Sequence, residues 1–214
     1  MSRDKKIIKL LNLDNLNTIK KYFFINHSQE IKFQKLIQEL VVCNKHTNLV
    51  GKSTLIDPWR AHILDCIQIS LYIKKKNSTI LDMGTGAGFP GLILSIMGYK
   101  KVSLVDSNGK KIKFINNICK KLNIKANVFL NRVEKLNNKK YDILTSRALA
   151  NLKKLFTYSH NFMNQDTVLI FLKGKTVNEE IEDAKKYWCF KSKLQQSYSD
   201  KRGRILIIKN LTPK

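Results

Sequence analysis

Residues 80–91 read ILDMGTGAGFPG, and Gly86, Gly88 and Gly91 match the spacing G-x-G-x-x-G. Such a loop lets backbone come close to a ligand, because glycine has no Cβ. Asp106 follows Gly86 by about 20 residues, at the end of the next apolar run. A carboxylate there can accept hydrogen bonds from ribose hydroxyls. NAD and S-adenosylmethionine (SAM) both carry an adenosine ribose, so Asp106 does not choose between them. Two other residues do. Asp82 extends the motif to D-x-G-x-G-x-G with Gly84; its charge would repel a pyrophosphate and attract the α-amino group of SAM. Pro90 removes an N–H at a helix start, where a dinucleotide site needs donors for phosphate. These local grounds favour SAM as cofactor over NAD. The plainer alternative for Asp82 is a carboxylate that only braces the loop backbone.

These residues need a frame of strands and helices to hold them. Residues 1–76 read as helical. Ile31, Phe33, Leu36, Ile37, Leu40 and Val41 form an apolar stripe at helical spacing after Ser28. Asp57-Pro58 is a helix start, followed by Trp59, Ile63, Cys66 and Ile67 on one face. From Ser78 onward, short apolar runs alternate with helical stretches. STILDM, KVSLVD, ANVFL, YDILTS and TVLIFL read as strands, with helices after Pro90, after Gly109, over 148–163 and over 176–188. CFKSKL and RILIIK leave little room for a helix between them, so an antiparallel ending is expected. The alternation implies a doubly wound, mostly parallel α/β sheet, with ligands at the carboxyl ends of its strands. The expected organisation is a helical extension (1–76) and a cofactor-binding domain (77–214) in one compact unit.

Composition narrows the partners. Forty basic residues face sixteen acidic ones, giving a net charge of +24. A chain this basic attracts polyanions, with nucleic acid the default. Six of the forty are arginine and the rest lysine. AT-rich coding accounts for lysine over arginine, and accounts less well for the scarcity of acids. In such a background Arg60, Arg132, Arg147, Arg202 and Arg204 fall where a planar fork is useful; Arg3 reads as tail. No apolar run reaches the roughly 18 residues of a membrane span. Lys9 and Asn12 break the first apolar stretches, so no signal-peptide core is expected. Cys43, Cys66, Cys119 and Cys189 lie far apart with no CxxC pair. They read as buried free thiols of a reducing compartment, the cytoplasm, and not as ligands; no metal site is expected. Nothing demands more than a monomer.

Five motifs in order, HILDC (62–66), DMGTGAGFPG (82–91), LVDSNGKKIKF (104–114), SRALANL (146–152) and FLKG (171–174), carry a specific resemblance. The chain resembles the RsmG (GidB) family, bacterial 16S rRNA guanine-N7 methyltransferases, from about Asn44 to Lys209. The resemblance implies a Rossmann-like class I SAM-dependent methyltransferase with a seven-stranded, mostly parallel sheet and a helical N-terminal extension. It implies methyl transfer from SAM to N7 of a specific guanine in 16S rRNA, with the small ribosomal subunit as partner.

By motif position, Gly84, Gly86, Gly88 and Phe89 would line the SAM pocket together with Asp82. Asp106 and Ser107 would meet the ribose. Val133 and Glu134 would border the adenine, unless Glu134 only satisfies a helix dipole. Arg147 would lie beside SAM and the base, positioning both; no general base is expected. His62, Lys173 and Arg204 are candidates for the RNA side. His62 has the alternative of a surface pair with Asp65, and Lys173 that of one more lysine. Departures fall in the N-terminal part: the family's tryptophan near Cys43 is missing, its threonine is Val50, and its basic residue before the histidine is Ala61, with Arg60 one position earlier. An NAD-dependent oxidoreductase and a noncatalytic RNA-binding protein remain as alternative classes; Pro90 argues against the first, the intact glycines and Asp106 against the second.

Overall fold

The apolar runs after Ser78 assemble into one seven-stranded sheet in the order β3-β2-β1-β4-β5-β7-β6. The computed structural model describes residues 14–214; Arg3 and the first stretch expected to be helical lie outside them. The strands are β1 (Thr79–Met83), β2 (Lys101–Asp106), β3 (Asn127–Leu130), β4 (Ile143–Arg147), β5 (Val168–Lys173), β6 (Trp188–Gln196) and β7 (Arg204–Pro213). β1 to β5 pair in parallel, and β7 runs antiparallel between β5 and β6. β1, β4 and β5 are buried almost throughout because helices cover both faces. That is why they read as continuous apolar runs.

The helices are α1 (Asp14–Lys20), α2 (His27–Asn44), α3 (59–72), α4 (Gly91–Ile96), α5 (Gly109–Lys121), α6 (Leu152–His160) and α7 (Val177–Lys185). Asn26 and Gln29 close α2 with a reciprocal capping box. Phe33, Leu36, Ile37 and Leu40 are buried as expected, whereas Ile31 is exposed. Asp57 does start α3: its Oδ1 accepts the Arg60 N–H at 3.0 Å. The helix that follows is irregular, a π-turn (Trp59–Leu64), then an α-turn (Asp65–Ile67), then a 3-10 turn (Gln68–Tyr72). π-turns recur at functional sites, and His62 lies on this one.

The helical segment 14–72 shares one apolar cluster with α4, α5 and one sheet face; Phe33, Trp59, Leu92 and Ile115 are all in it. α6 and α7 cover the other face through Leu155, Phe156 and Ile181. Two boundaries differ from the sequence reading. α6 starts at Leu152 and not near residue 148, because Ala148 has φ +56 and Asn151 caps the Lys154 N–H. Trp188 opens β6 instead of ending α7. Cys66 is buried and Cys189 exposed; all four thiols are free.

Candidate active site

β1 delivers Asp82 to a place beneath the glycine loop. The side chain is fully buried. Its Oδ2 accepts the Thr85 hydroxyl at 2.5 Å and the Gly91 N–H at 2.8 Å. Gly91 is the first residue of α4, so the carboxylate lies where a dinucleotide's phosphate would dock. Oδ1 has no partner. Burial pushes the carboxyl up to about 7, against the opposing pull of the two bonds. Asp82 is not among the residues lining the cleft above the loop. Asp82 was expected to meet the cofactor amino group; in this structure its Oδ2 bonds brace the loop from beneath, the alternative that the sequence also offered. Gly84 holds φ +63, and a Cβ there would lie 2.4 Å from Leu149. A Cβ on Gly91 would lie 2.3 Å from Leu104 and 3.0 Å from Asp82.

Asp106 ends β2 and ties into the same loop. Its Oδ2 accepts the Gly86 N–H at 2.9 Å, and its Oδ1 the Asn108 N–H at 2.8 Å. Ser107 is exposed beside it. Val133 is buried and Glu134 exposed on a 3-10 turn (Val133–Lys135). None of Ser107, Val133 and Glu134 borders the cleft, a space of about 730 Å³ lined by Gly84, Gly86, Phe89, His62 and Arg147 among others.

Arg147, at the end of β4, organises the opposite wall. Its Nη1 donates to the Ala61 carbonyl at 3.0 Å and to Asp65 Oδ2 at 3.2 Å. Its Nη2 donates to His62 Nδ1 at 3.1 Å. A guanidinium only donates, so Nδ1 is the acceptor, and a neutral ring then carries its hydrogen on Nε2. Nε2 lies 2.9 Å from Thr54 Oγ1, which accepts it. Burial, and then the Arg147 charge, push His62 down to about 3. The imidazole is neutral and held at both nitrogens. Its ring stacks on Phe89 at 4.9 Å, and the guanidinium covers the same Phe89 ring at 5.1 Å.

Sequence reasoning noted Asp65 as no more than a surface partner of His62. The structure instead sends both residues to Arg147. Asp65 Oδ1 accepts the Ser199 hydroxyl at 2.6 Å, and Ser199 Oγ lies 2.8 Å from Ser197 Oγ. Gln68 donates to Ser197 Oγ and accepts the Tyr198 N–H, both at 2.8 Å. Arg60 donates from Nε to the Ser199 carbonyl at 2.7 Å. The β6–β7 connection is thus locked to α3. Thr54 and Ser199 gave no sequence signal, because their roles arise from packing across long stretches of chain. Asp65 did give one, by standing three residues after His62.

Lys173 and Arg204 line a smaller cavity of about 340 Å³, which shares Arg147 and Asp65 with the cleft. Lys173 is not a free cation there. Its ammonium lies 2.5 Å from Glu180 and donates to the Ala150 carbonyl at 3.1 Å. Glu180 also accepts the Leu152 N–H at the start of α6. Lys173 was expected to reach phosphate or the base; in this structure its bonds tie β5 to α6 and α7. Arg204 donates to the Lys201 and Gly203 carbonyls at 2.7 and 2.9 Å. Arg202 pairs with Asp200, and Arg132 is exposed.

The loop suits SAM and not a dinucleotide. Pro90 has no N–H, and the Gly91 N–H is already committed to Asp82, so the start of α4 has no amide pair for phosphate.

The comparisons with known proteins agree. A family described as rRNA small subunit methyltransferase G matches residues 29–208. "Ribosomal RNA small subunit methyltransferase G" of Rickettsia prowazekii is 39% identical over 180 residues, 84% of this chain and 92% of that protein. The protein of the same name from Rickettsia typhi is 37% identical over 186 residues, covering 86% and 96%. Among solved structures, the ribosomal protein L11 methylase of Lactobacillus delbrueckii subsp. bulgaricus superposes with a TM-score of 0.58 at 20% identity, covering 68% of this chain and 76% of that one. M. jannaschii TYW2 in complex with AdoMet gives 0.54 at 12% identity, covering 70% and 77%. The fold is that of class I SAM-dependent methyltransferases, and the chain belongs to the rRNA small subunit methyltransferase G family.

Proposed function

We propose that the chain transfers the methyl group of SAM to N7 of a specific guanine in 16S rRNA, as a cytoplasmic monomer. Family membership supports the substrate. One observation carries the chemistry: the cleft joins a glycine loop to a clamped arginine, and the one imidazole among its lining residues has both nitrogens engaged. SAM supplies an electrophilic methyl on a sulfonium. Guanine N7 offers a lone pair and no proton, so nothing has to be abstracted. His62 is neutral with both nitrogens engaged. Asp57, Asp65 and Asp200, the cleft-lining carboxylates, each accept from backbone, hydroxyl or guanidinium donors. Alignment then supplies the rate, a source worth up to about 7–11 kcal/mol.

In this reading the backbone of Gly84, Gly86 and Gly88 and the ring of Phe89 hold the methionine end of SAM. Asp106 and Ser107 take the ribose, and Val133 and Glu134 border the adenine outside the cleft. Asp82 keeps the loop in shape from beneath. Arg147 retains Nε–H and one Nη2 hydrogen beyond its three bonds. These hold the guanine O6 and leave N7 facing the methyl. The target base is splayed out of its stack to reach the cleft.

The test is to incubate the protein with labelled SAM and either 30S subunits or bare 16S rRNA. Chemical cleavage at N7-methylguanine then maps the product. One labelled guanine is expected; label at another atom, or on neither substrate, would overturn the proposal.

A further inference from the structure

The largest cavity among those described lies at the other end of the sheet. It holds about 870 Å³ and runs past Ser78 and Val168, at the amino ends of β1 and β5. The glycine loop leaves the carboxyl end of β1, so the length of that strand, about 16 Å, separates the two sites. Five lysines line this groove: Lys74 and Lys75 from the segment after α3, Lys191 and Lys193 from β6, and Lys209 from β7. All five are exposed. Among the described residues, none of the five has a carboxylate within ion-pair reach. Two acids also line the groove. Asp142 directs Oδ2 at the Thr79 N–H and hydroxyl, at 2.7 and 2.9 Å. Asp166 is exposed. The floor is apolar, from Ile207 and Val168, and Leu71 adds an exposed apolar wall.

Two features make this more than diffuse charge. Lys191 and Lys209 stand directly opposite one another across the β6–β7 ladder. Like charges in that position destabilise a sheet, so the pair costs stability unless an anion joins it. Lysines on an edge strand also discourage edge-to-edge pairing. That accounts for Lys191 and Lys193 on β6. It does not account for Lys209 on the inner strand, nor for Lys74 and Lys75 in the segment after α3.

We propose that this groove is a second RNA-docking surface, which takes backbone phosphates of the rRNA away from the target guanine. The inference rests on the rRNA substrate proposed above. An RNA strand has the charge the five lysines lack, and β6 runs continuously from the groove toward Ser199 at the cleft. Chain from Lys191 to Ser199 spans about 26 Å when extended. The substrate is therefore held at two separated places, and long RNA binds better than the target loop alone.

The experiment compares the full chain with K191Q/K193Q/K209Q. A control, K113Q/K120Q/K125Q, removes the same charge from exposed lysines of α5 and the turn after it. RNA binding is measured against salt, which needs no turnover. Methylation is measured on full-length 16S rRNA and on a short hairpin holding only the target loop. The groove variant should raise KM for 16S rRNA about ten-fold relative to the hairpin. Its log–log salt slope should fall by about 2–3, as expected for losing three phosphate contacts. K74Q/K75Q, from the facing wall, should move both readouts in the same direction, and serves if the triple variant does not fold. Equal losses in groove variant and control, or an unchanged slope in a folded groove variant, would overturn the proposal. Failure of the wild-type chain to methylate either RNA would instead strike the function proposed above; the salt slope still judges the groove.

Discussion

The glycine loop and the Arg147 cluster form two walls of one cleft, yet they hold their side chains differently. The loop is local. Asp82 reaches Thr85 and Gly91, three and nine residues away. The cluster is assembled from distant chain: Arg147 bonds Asp65 and Ala61 across 82 and 86 residues, and Asp65 bonds Ser199 across 134. A local brace forms once β1 and α4 dock. A cluster of four segments exists only in the finished fold, and each member orients the next. The loop should therefore tolerate conservative change in its brace, whereas the cluster should lose function when any donor goes.

The largest expected effect comes from breaking the cluster at its centre. Arg147→Ala should lower rRNA methylation at least 100-fold, about 3 kcal/mol of lost transition-state positioning. SAM affinity, measured by calorimetry, should change only a few-fold. Arg147→Lys should rescue little, because an ammonium cannot reach three partners in a plane. A comparable loss of SAM affinity would place Arg147 with the loop instead.

Next in size is Lys173→Met, which leaves the Glu180 carboxylate without its buried cation. Denaturant unfolding should show a loss of about 3 kcal/mol, while the salt slope of RNA binding stays put. A flatter slope with unchanged stability would return Lys173 to the RNA side. Ser199→Ala removes the hydroxyl that holds Asp65 Oδ1. About 1 kcal/mol of support for the cluster is lost, and kcat should fall about five-fold with little change in SAM binding.

The effect that belongs to the loop shows only as pH changes. Burial raises the Asp82 carboxyl from its ordinary 3.8 to about 7. The folded state then holds this proton more tightly than the unfolded chain. The group favours folding most below about pH 4, and that contribution is lost as pH rises through 7. Asp82→Asn keeps an acceptor for Thr85 and Gly91 and carries no proton to lose. Its thermal midpoint should vary less between pH 4 and 7 than that of wild type. An unchanged pH dependence would mean that Asp82 is ionised throughout.

How much the sequence revealed follows the same division. The glycine loop, the place of Asp106 at the end of β2 and the alternation of strands and helices were legible because contiguous residues encode them. Antiparallel β6 and β7 were legible from the short gap between them. For Asp82 the sequence left two roles open, because spacing shows a carboxylate beneath glycines and cannot show which way it faces. The ion pair of Lys173 was not legible because its partner Glu180 lies on the next helix, outside any motif. Thr54 and Ser199 carry no pattern at all, since hydroxyls acquire meaning only from what packs against them. The start of α6 was missed because nothing in the sequence around Ala148 announces a left-handed backbone.

The most direct test of the central claim is to replace the target guanine of 16S rRNA with 7-deazaguanine, which keeps O6 and the base shape but has carbon in place of N7. Labelled SAM should then transfer no methyl group to that RNA, while the RNA still binds and competes with the natural substrate. Methyl transfer to the 7-deaza base at the normal rate would contradict the account.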